Sequence, residues 1–428
     1  MKFHSTRDPN KFLSFSQAVS IGLASDGGLL IPNEFPLFSV KDFQGDDSIQ
    51  KVAAAIFAKF FKDDPIFEGK ENIISNNSFN FEIPLVYLKS ETAVLELFHG
   101  PTSAFKDVGA RFLAECLKVI ALTEKKHYTI LVATSGDTGG AVASAFNLAD
   151  NFDVYILYPK GKVSILQEKQ LTCWGKNIHS LSVRGNFDDC QRLVKSAFLN
   201  PWWEQNKNLT SANSINIARI LPQAVYYAAS SLWYYKKTGA MPGFIIPTGN
   251  LGNGVAALWA KQMGFPIREI HFATNENRSI TDYISGKEWM PQPTKVTLAN
   301  AMDVGNPSNI ERLFSLYKTQ DDFKGIISSS SVSDLEIKST IATGEDKWNQ
   351  VWCPHTATAA IVRERLKSPN WIIVATAHPA KFAEIVAPLI HNPLIMPDNL
   401  AALYSKETNF SEIQPNDDSL IEAVKSTK

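Results

Sequence analysis

The strongest constraint on this chain is a unit that recurs along it: a short unbroken apolar run, a loop of glycines and hydroxyls, then helical spacing. The runs are TILVAT (129–134), DVYILYP (153–159), GFIIP (243–247) and NWIIVAT (370–376). They lead into SGDTGGAVASAF, KGKVSILQEKQL, TGNLGNGVAALWAKQMG and AHPAKFAEIVAPLI respectively. Runs this short and continuous suit strands covered on both faces, and the helical stretches between them suit crossovers. The alternation predicts an α/β protein built on open, mainly parallel sheets with flanking helices.

The first ninety or so residues lack the unit. Short apolar segments alternate there with glycine and proline, as in SDGGLLIPNEFP (25–36), around a helix near VAAAIFAKFF (52–61). This stretch reads as a small mixed N-terminal domain. LPQAVYYAASSLWYYKK (221–237) has its aromatics at helical spacing and reads as core. ISSSSVSD (327–334) reads as a loop or connection, and the polar residues beyond Gln414 as a frayed end.

Composition narrows the function classes. With 428 residues, 44% hydrophobic, 20% charged and a formal net charge of -1, the chain offers no strongly basic face for nucleic acid. No apolar run reaches the roughly 18 residues of a membrane span. The N-terminus has no apolar signal region, and Asp8 argues against a transit peptide. Cys116, Cys173, Cys190 and Cys353 are scattered, as in a reduced cytoplasmic protein. A zinc site would need Cys353 and His355 with distant partners, and no metal site is expected.

Ligands of open α/β sheets sit outside the carboxyl ends of the strands, so the residues after each run carry the interest. After GFIIP comes Thr248-Gly249-Asn250-Leu251-Gly252-Asn253-Gly254. Its glycines would let backbone approach an anion, and the next helix offers free N–H groups. The spacing is neither a dinucleotide fingerprint nor a P-loop, and a plain flexible turn also fits. In Thr134-Ser135-Gly136-Asp137-Thr138-Gly139-Gly140, Ser135, Thr138 and backbone N–H groups could grip a carboxylate. Equally, Asp137 or Thr138 could simply cap a helix. In SANSINIAR (211–219), Arg219 stands within reach of a helix start that could hold an anion, or it is a solvated side chain. Thr376, in TAHPAKF (376–382), is a strand-end hydroxyl before a proline that can be mere punctuation. In HGPTSAFKD (99–107), Lys106 is either a surface charge at a helix start or chemistry, and those nine residues do not decide. One lysine among several anion loops fits a phosphorylated ligand whose carbonyl an amine captures, which describes pyridoxal phosphate. A nucleotide enzyme is the other partition, although no carboxylate pair for Mg²⁺ stands beside the glycine loops.

HGPTSAFKD, ATSGDTG, PTGNLGN, NSINIAR and TAHPAKF, in this order, resemble the threonine synthases of bacterial and fungal type. So do GLASDGGLLIP, YPKGKVSILQEKQ and AMDVGNPSN, and the likeness runs from about residue 15 to 395. The resemblance implies a tryptophan-synthase-like (fold type II) pyridoxal phosphate enzyme. Its reaction turns O-phospho-L-homoserine and water into L-threonine and phosphate, the final step of threonine biosynthesis. By the same resemblance Lys106 is the Schiff-base lysine and the acid/base of the cycle. Gly249, Asn250, Leu251, Gly252 and Asn253 would hold the cofactor phosphate, Thr376 would face the pyridine nitrogen, and Asp137 would border the ring. Ser135, Gly136 and Thr138 would receive the substrate carboxylate. Asn213, Ser214 and Arg219, with Lys160 nearby, would meet the substrate phosphate. Thr248 and Leu251 depart from the family's usual Ser and Phe. Two domains would clasp the cofactor: a large one of 94–125 with 212–428, and a smaller mobile one of 126–211, beside an N-terminal domain of 1–93. The implied protein is cytoplasmic, a monomer or small homo-oligomer, with a small-molecule substrate and no nucleic-acid or membrane partner. A phospholyase or an amino-acid dehydratase of the same fold is the alternative.

Overall fold

The computed structural model describes residues 1–427. Strands β1 (Phe3–Ser5) and β2 (Leu30–Pro32) pair antiparallel. Then come β3 (Leu85–Tyr87), β4 (Thr92–Glu96), β5 (Tyr128–Ala133), β6 (Phe152–Pro159), β7 (Ile178–Val183) and β8 (Asn208–Ser211). The last are β9 (Gly243–Pro247), β10 (Ile270–Thr274), β11 (Ile327–Ser331), β12 (Trp371–Ala375) and β13 (Ser411–Ile413). A larger sheet has the order β11-β10-β9-β12-β4-β3, and a smaller one the order β13-β7-β6-β5-β8. All neighbours in both sheets run parallel except β3 against β4. The expected α/β architecture is what forms. The apolar runs explain it, because β5, β9 and β12 are buried from end to end and need a covering layer on each face.

Each sheet reverses its strand order once. In the larger sheet β9 leads outward to β10 and β11, while β12 fills the place between β9 and β4. In the smaller sheet β5 leads to β6 and β7, while β8 joins its other edge. The loops after β9, β12, β5 and β8 therefore leave from the switch points, where a crevice opens.

The N-terminal stretch packs against the rest of the chain through aromatic rings. Helix Ile49–Phe61 packs on helix Ile217–Thr238, and the Phe57 and Phe112 rings stand 4.5 Å apart. Phe3, Phe15 and Phe67 join the same core, which continues into both sheets. Each fully buried ring contributes roughly 2–3 kcal/mol, so this cluster fixes the helix that Lys106 begins. The aromatic run is core as read: Tyr226, Tyr227 and Tyr234 are buried.

Three expectations are corrected. ISSSSVSD is not a loop, because Ile327–Ser331 is the edge strand β11, its serines half-buried beside β10. The polar tail is not frayed: helix Asp417–Ser426 buries Leu420 and Val424. Nor does the whole of 212–428 belong with the larger sheet, since β13 adds to the smaller one beside β7. Among the described residues, no helix is long and apolar enough to cross a membrane.

Candidate active site

Lys106 is presented by a loop pinned on several sides. After β4, the Leu97 and Phe105 N–H groups donate to Ala375 O and Thr376 O, at 3.0 and 2.8 Å, and Ala104 bridges to Ala377. Thr102 donates its N–H and its hydroxyl to the Asp107 carboxylate at 2.9 and 2.6 Å. Gly100 must be glycine, since a Cβ would stand 2.6 Å from Asp107 Oδ2. Lys106 then opens helix Lys106–Glu124. Its Nζ lies 4.6 Å from the Phe105 ring centroid and has no hydrogen-bond partner among the described residues. Burial, seconded by the Arg219 cation and opposed by Asp137, lowers Lys106 to about 8.

The glycine loop faces this amine. Lys106, Asp137, Ser214, Gly249–Asn253, His355 and Thr376 all line one cavity. Leu251 holds a left-handed backbone (φ 63°) to bring the loop into helix Gly252–Gln262. No side chain caps that helix, so its first N–H groups stay free for an anion. The Asn250 side chain is committed, accepting from Ser308 N–H at 2.6 Å and donating to Ser214 Oγ at 2.9 Å. That leaves its backbone N–H, not its side chain, as the group free to face an anion. Asn253 accepts from the Tyr227 hydroxyl at 2.6 Å and leaves Nδ2 unpartnered.

Of the other expected residues, Asp137 begins helix Asp137–Phe146 and meets Lys381 Nζ at 2.8 Å. Thr134 Oγ1 accepts from the Gly136 and Gly139 N–H groups at 3.0 and 2.9 Å, leaving the Ser135 and Thr138 hydroxyls uncommitted. Asn213 spends its side chain on the Ala133 backbone, at 3.1 and 2.6 Å, and so ties β5 to the segment after β8. Arg219 is 2% exposed and lies behind Lys106, against Gly109, rather than on the cavity wall. Lys160 is not gathered in. It is half-exposed and pairs with Glu412, which Arg184 also reaches at 2.8 Å, because β13 brings that carboxylate alongside.

Several site groups were not singled out from the sequence. Lys381 has no exposed side-chain surface and donates to Thr102 O at 2.8 Å as well as to Asp137. Its signal is TAHPAKF, where Lys381 stands five residues beyond Thr376. Arg312 donates to Ser214 O and Ile215 O at 2.8 and 2.7 Å, and Asn309 donates to Ser214 Oγ at 3.0 Å. Both follow AMDVGNP, which carried only the family likeness. His355 lines the cavity, and Cys353 caps its helix by accepting from Thr356 N–H, so each has a task other than metal binding.

A family model described as pyridoxal-phosphate dependent enzyme matches residues 80–376, flanked by models for the threonine synthase N terminus (2–76) and C-terminal part (355–426). Threonine synthase of Escherichia coli (strain K12) is 38% identical over 94% of either chain. That of Saccharomyces cerevisiae is 34% identical over 90% of this chain and 88% of its own. The chain belongs to the threonine synthase family of pyridoxal-phosphate dependent enzymes. Among solved structures, PLP-bound threonine synthase from Brucella melitensis superposes with a TM-score of 0.91 at 33% identity, covering 100% of this chain and 99% of that one.

The cavity suits the cofactor of a threonine synthase. It combines one unpartnered amine, a glycine loop with free N–H groups, and orphaned polar atoms on Gln223, Asn253 and His355. Among the described residues, no His, Cys, Asp and Glu cluster could hold a metal instead. Gly249 sets the loop's closeness to the opposite wall, since a Cβ there would stand 2.6 Å from Met302 Cα. Gly249→Ala must displace main chain and is expected to weaken pyridoxal phosphate binding roughly tenfold. A fluorescence titration checks this, and unchanged affinity would mean that the Met302 turn yields freely.

Proposed function

We propose that this threonine synthase acts on O-phospho-L-homoserine, releasing phosphate and adding water to give L-threonine, with Lys106 as the acid/base. The observation that carries the reading is the meeting of strand-end loops from both sheets around one half-buried, partnerless amine. Lys106, the amides of Gly249–Asn253 and Thr376 would hold the cofactor. Once bound, pyridoxal phosphate supplies an electron sink next to the substrate's Cα.

Lys106 Nζ, neutral in a useful fraction because its pKa is near 8, takes the Cα proton and returns one later. The Ser135 and Thr138 hydroxyls receive the substrate carboxylate. Ser214 and nearby N–H groups balance charge on the departing phosphate. A Cβ proton leaves as the Cγ–O bond to phosphate breaks, and water then adds its hydroxyl at Cβ; the three protons released, from Cα, Cβ and water, go to Cγ, Cα and the phosphate. Earlier steps need water kept out, and we assign that to closure of the 126–211 unit. Asp137–Lys381 and Asn300–Gln167 already cross between the sheets' loops in support of it. Buried, unpaired cysteines at all four positions suit a reducing cytoplasm.

Arg219 acts on Lys106 by its charge. Arg219→Met removes a cation that disfavours protonation, so the acidic limb of the kcat–pH profile should move up by roughly one pH unit. An unmoved limb would remove Arg219 from that role. The reaction itself is tested by incubation with O-phospho-L-homoserine. L-threonine equal to the phosphate released is expected, whereas phosphate with an oxo acid and no threonine would make the chain a phospholyase.

A further inference from the structure

His355 stands in the first turn of helix Pro354–Arg365, which packs against β12 and β9. Its ring rests on Phe382, with centroids 4.8 Å apart, and the side chain is buried. The Ala301 N–H donates to Nε2 at 3.1 Å. A backbone N–H can only donate, so Nε2 must present its lone pair, and a neutral ring then carries its proton on Nδ1. The ring stays neutral: burial, helped by Lys381 and Lys106 and opposed by Asp137, pushes it down to about 4. Nδ1 is buried and has no partner among the described residues. An unpaired buried donor bears its full desolvation penalty, which an acceptor in the cavity would relieve.

The acceptor's source follows from the company His355 keeps. It shares the cavity with Lys106, Asp137, Thr376 and the glycine loop, which would hold the cofactor, and with Ser214, while Ser135 and Thr138, which would receive the substrate carboxylate, are not part of that wall. We infer that His355, as a neutral imidazole in the Nδ1–H tautomer, donates a hydrogen bond to an oxygen of the bound pyridoxal phosphate. This rests on the proposed seat of the cofactor against Lys106. The donor would steady negative charge on that oxygen without adding a third cation beside Lys106 and Lys381.

Long-range proton–nitrogen NMR of ¹⁵N-histidine-labelled enzyme reads the tautomer directly, with the His355 signals identified by their loss in His355→Gln. A protonated Nδ1 and bare Nε2 near neutral pH are expected, with the Nδ1 signal shifting when apoenzyme is loaded with pyridoxal phosphate. In affinity, His355→Leu should bind the cofactor about tenfold more weakly, and His355→Gln within about threefold of wild type, because its amide both accepts and donates. If His355→Leu does not fold, the wild-type tautomer and its response to loading decide. An Nε2-protonated ring overturns the inference. So does an Nδ1 signal indifferent to loading while absorbance reports the Lys106-linked chromophore, and so do equal affinities in all three proteins. If loading produces no Lys106-linked chromophore, the cofactor's seat falls and the inference with it.

Discussion

Lys106→Ala is expected to cut threonine formation at least ~10³-fold and to remove the covalent chromophore from the bound cofactor. The size of the effect follows from the lack of a substitute. The site's second lysine, Lys381, is buried and already donates to Asp137 Oδ1 and Thr102 O, both at 2.8 Å. Turning it toward the cavity would strand a buried carboxylate. Water could replace the proton transfer only poorly, because the Lys106 pocket is desolvated enough to hold the amine near 8 rather than 10.5. Borohydride reduction followed by peptide mass spectrometry should find the cofactor on Lys106 in the wild type and on no lysine in the variant. Retained turnover would overturn the assignment.

Lys381→Met is expected to cost about 3–5 kcal/mol of stability at neutral pH, the range for removing one partner of a buried ion pair. Lys381 has no exposed side-chain surface and Asp137 only 7%, so solvent screens the pair little. Burial by itself raises the Asp137 carboxyl, yet Lys381, His355 and Gln167 outweigh it and hold the group below its ordinary value. A carboxylate depressed in the folded state stabilises the fold above its unfolded pKa, near 3.9, and that contribution fades as pH falls through the lower folded value. The variant should therefore differ most from wild type at neutral pH and converge with it in acid, as Asp137 takes up a proton. Urea unfolding at two pH values reads this, and adding Asp137→Asn should recover part of the loss. A variant within about 1 kcal/mol of wild type at neutral pH would show that the pair is not structural. The same lysine grips the backbone just before Lys106, so cofactor binding should weaken together with stability.

Residue type and short spacing carry the periodic features of this fold. Continuous apolar runs required strands covered on both faces, and β5, β9 and β12 are buried throughout. Glycine-bearing loops at their ends, and the lysine of HGPTSAFKD, marked where an anion and an amine would meet. Motif order identified the family. These signals are local, since each depends on residue type and short spacing. Which side chains become partners is a matter of long-range folding. Lys160 and Lys381 are equally plain lysines on paper, yet one pairs with Glu412 at the surface and the other is sealed against Asp137. Asn213, read as a ligand for phosphate, instead closes on Ala133. The serines of β11 looked like a loop until β10 gave their backbone a ladder. In each case the deciding energy is desolvation set against a specific partner, and long-range folding alone determines which partner arrives.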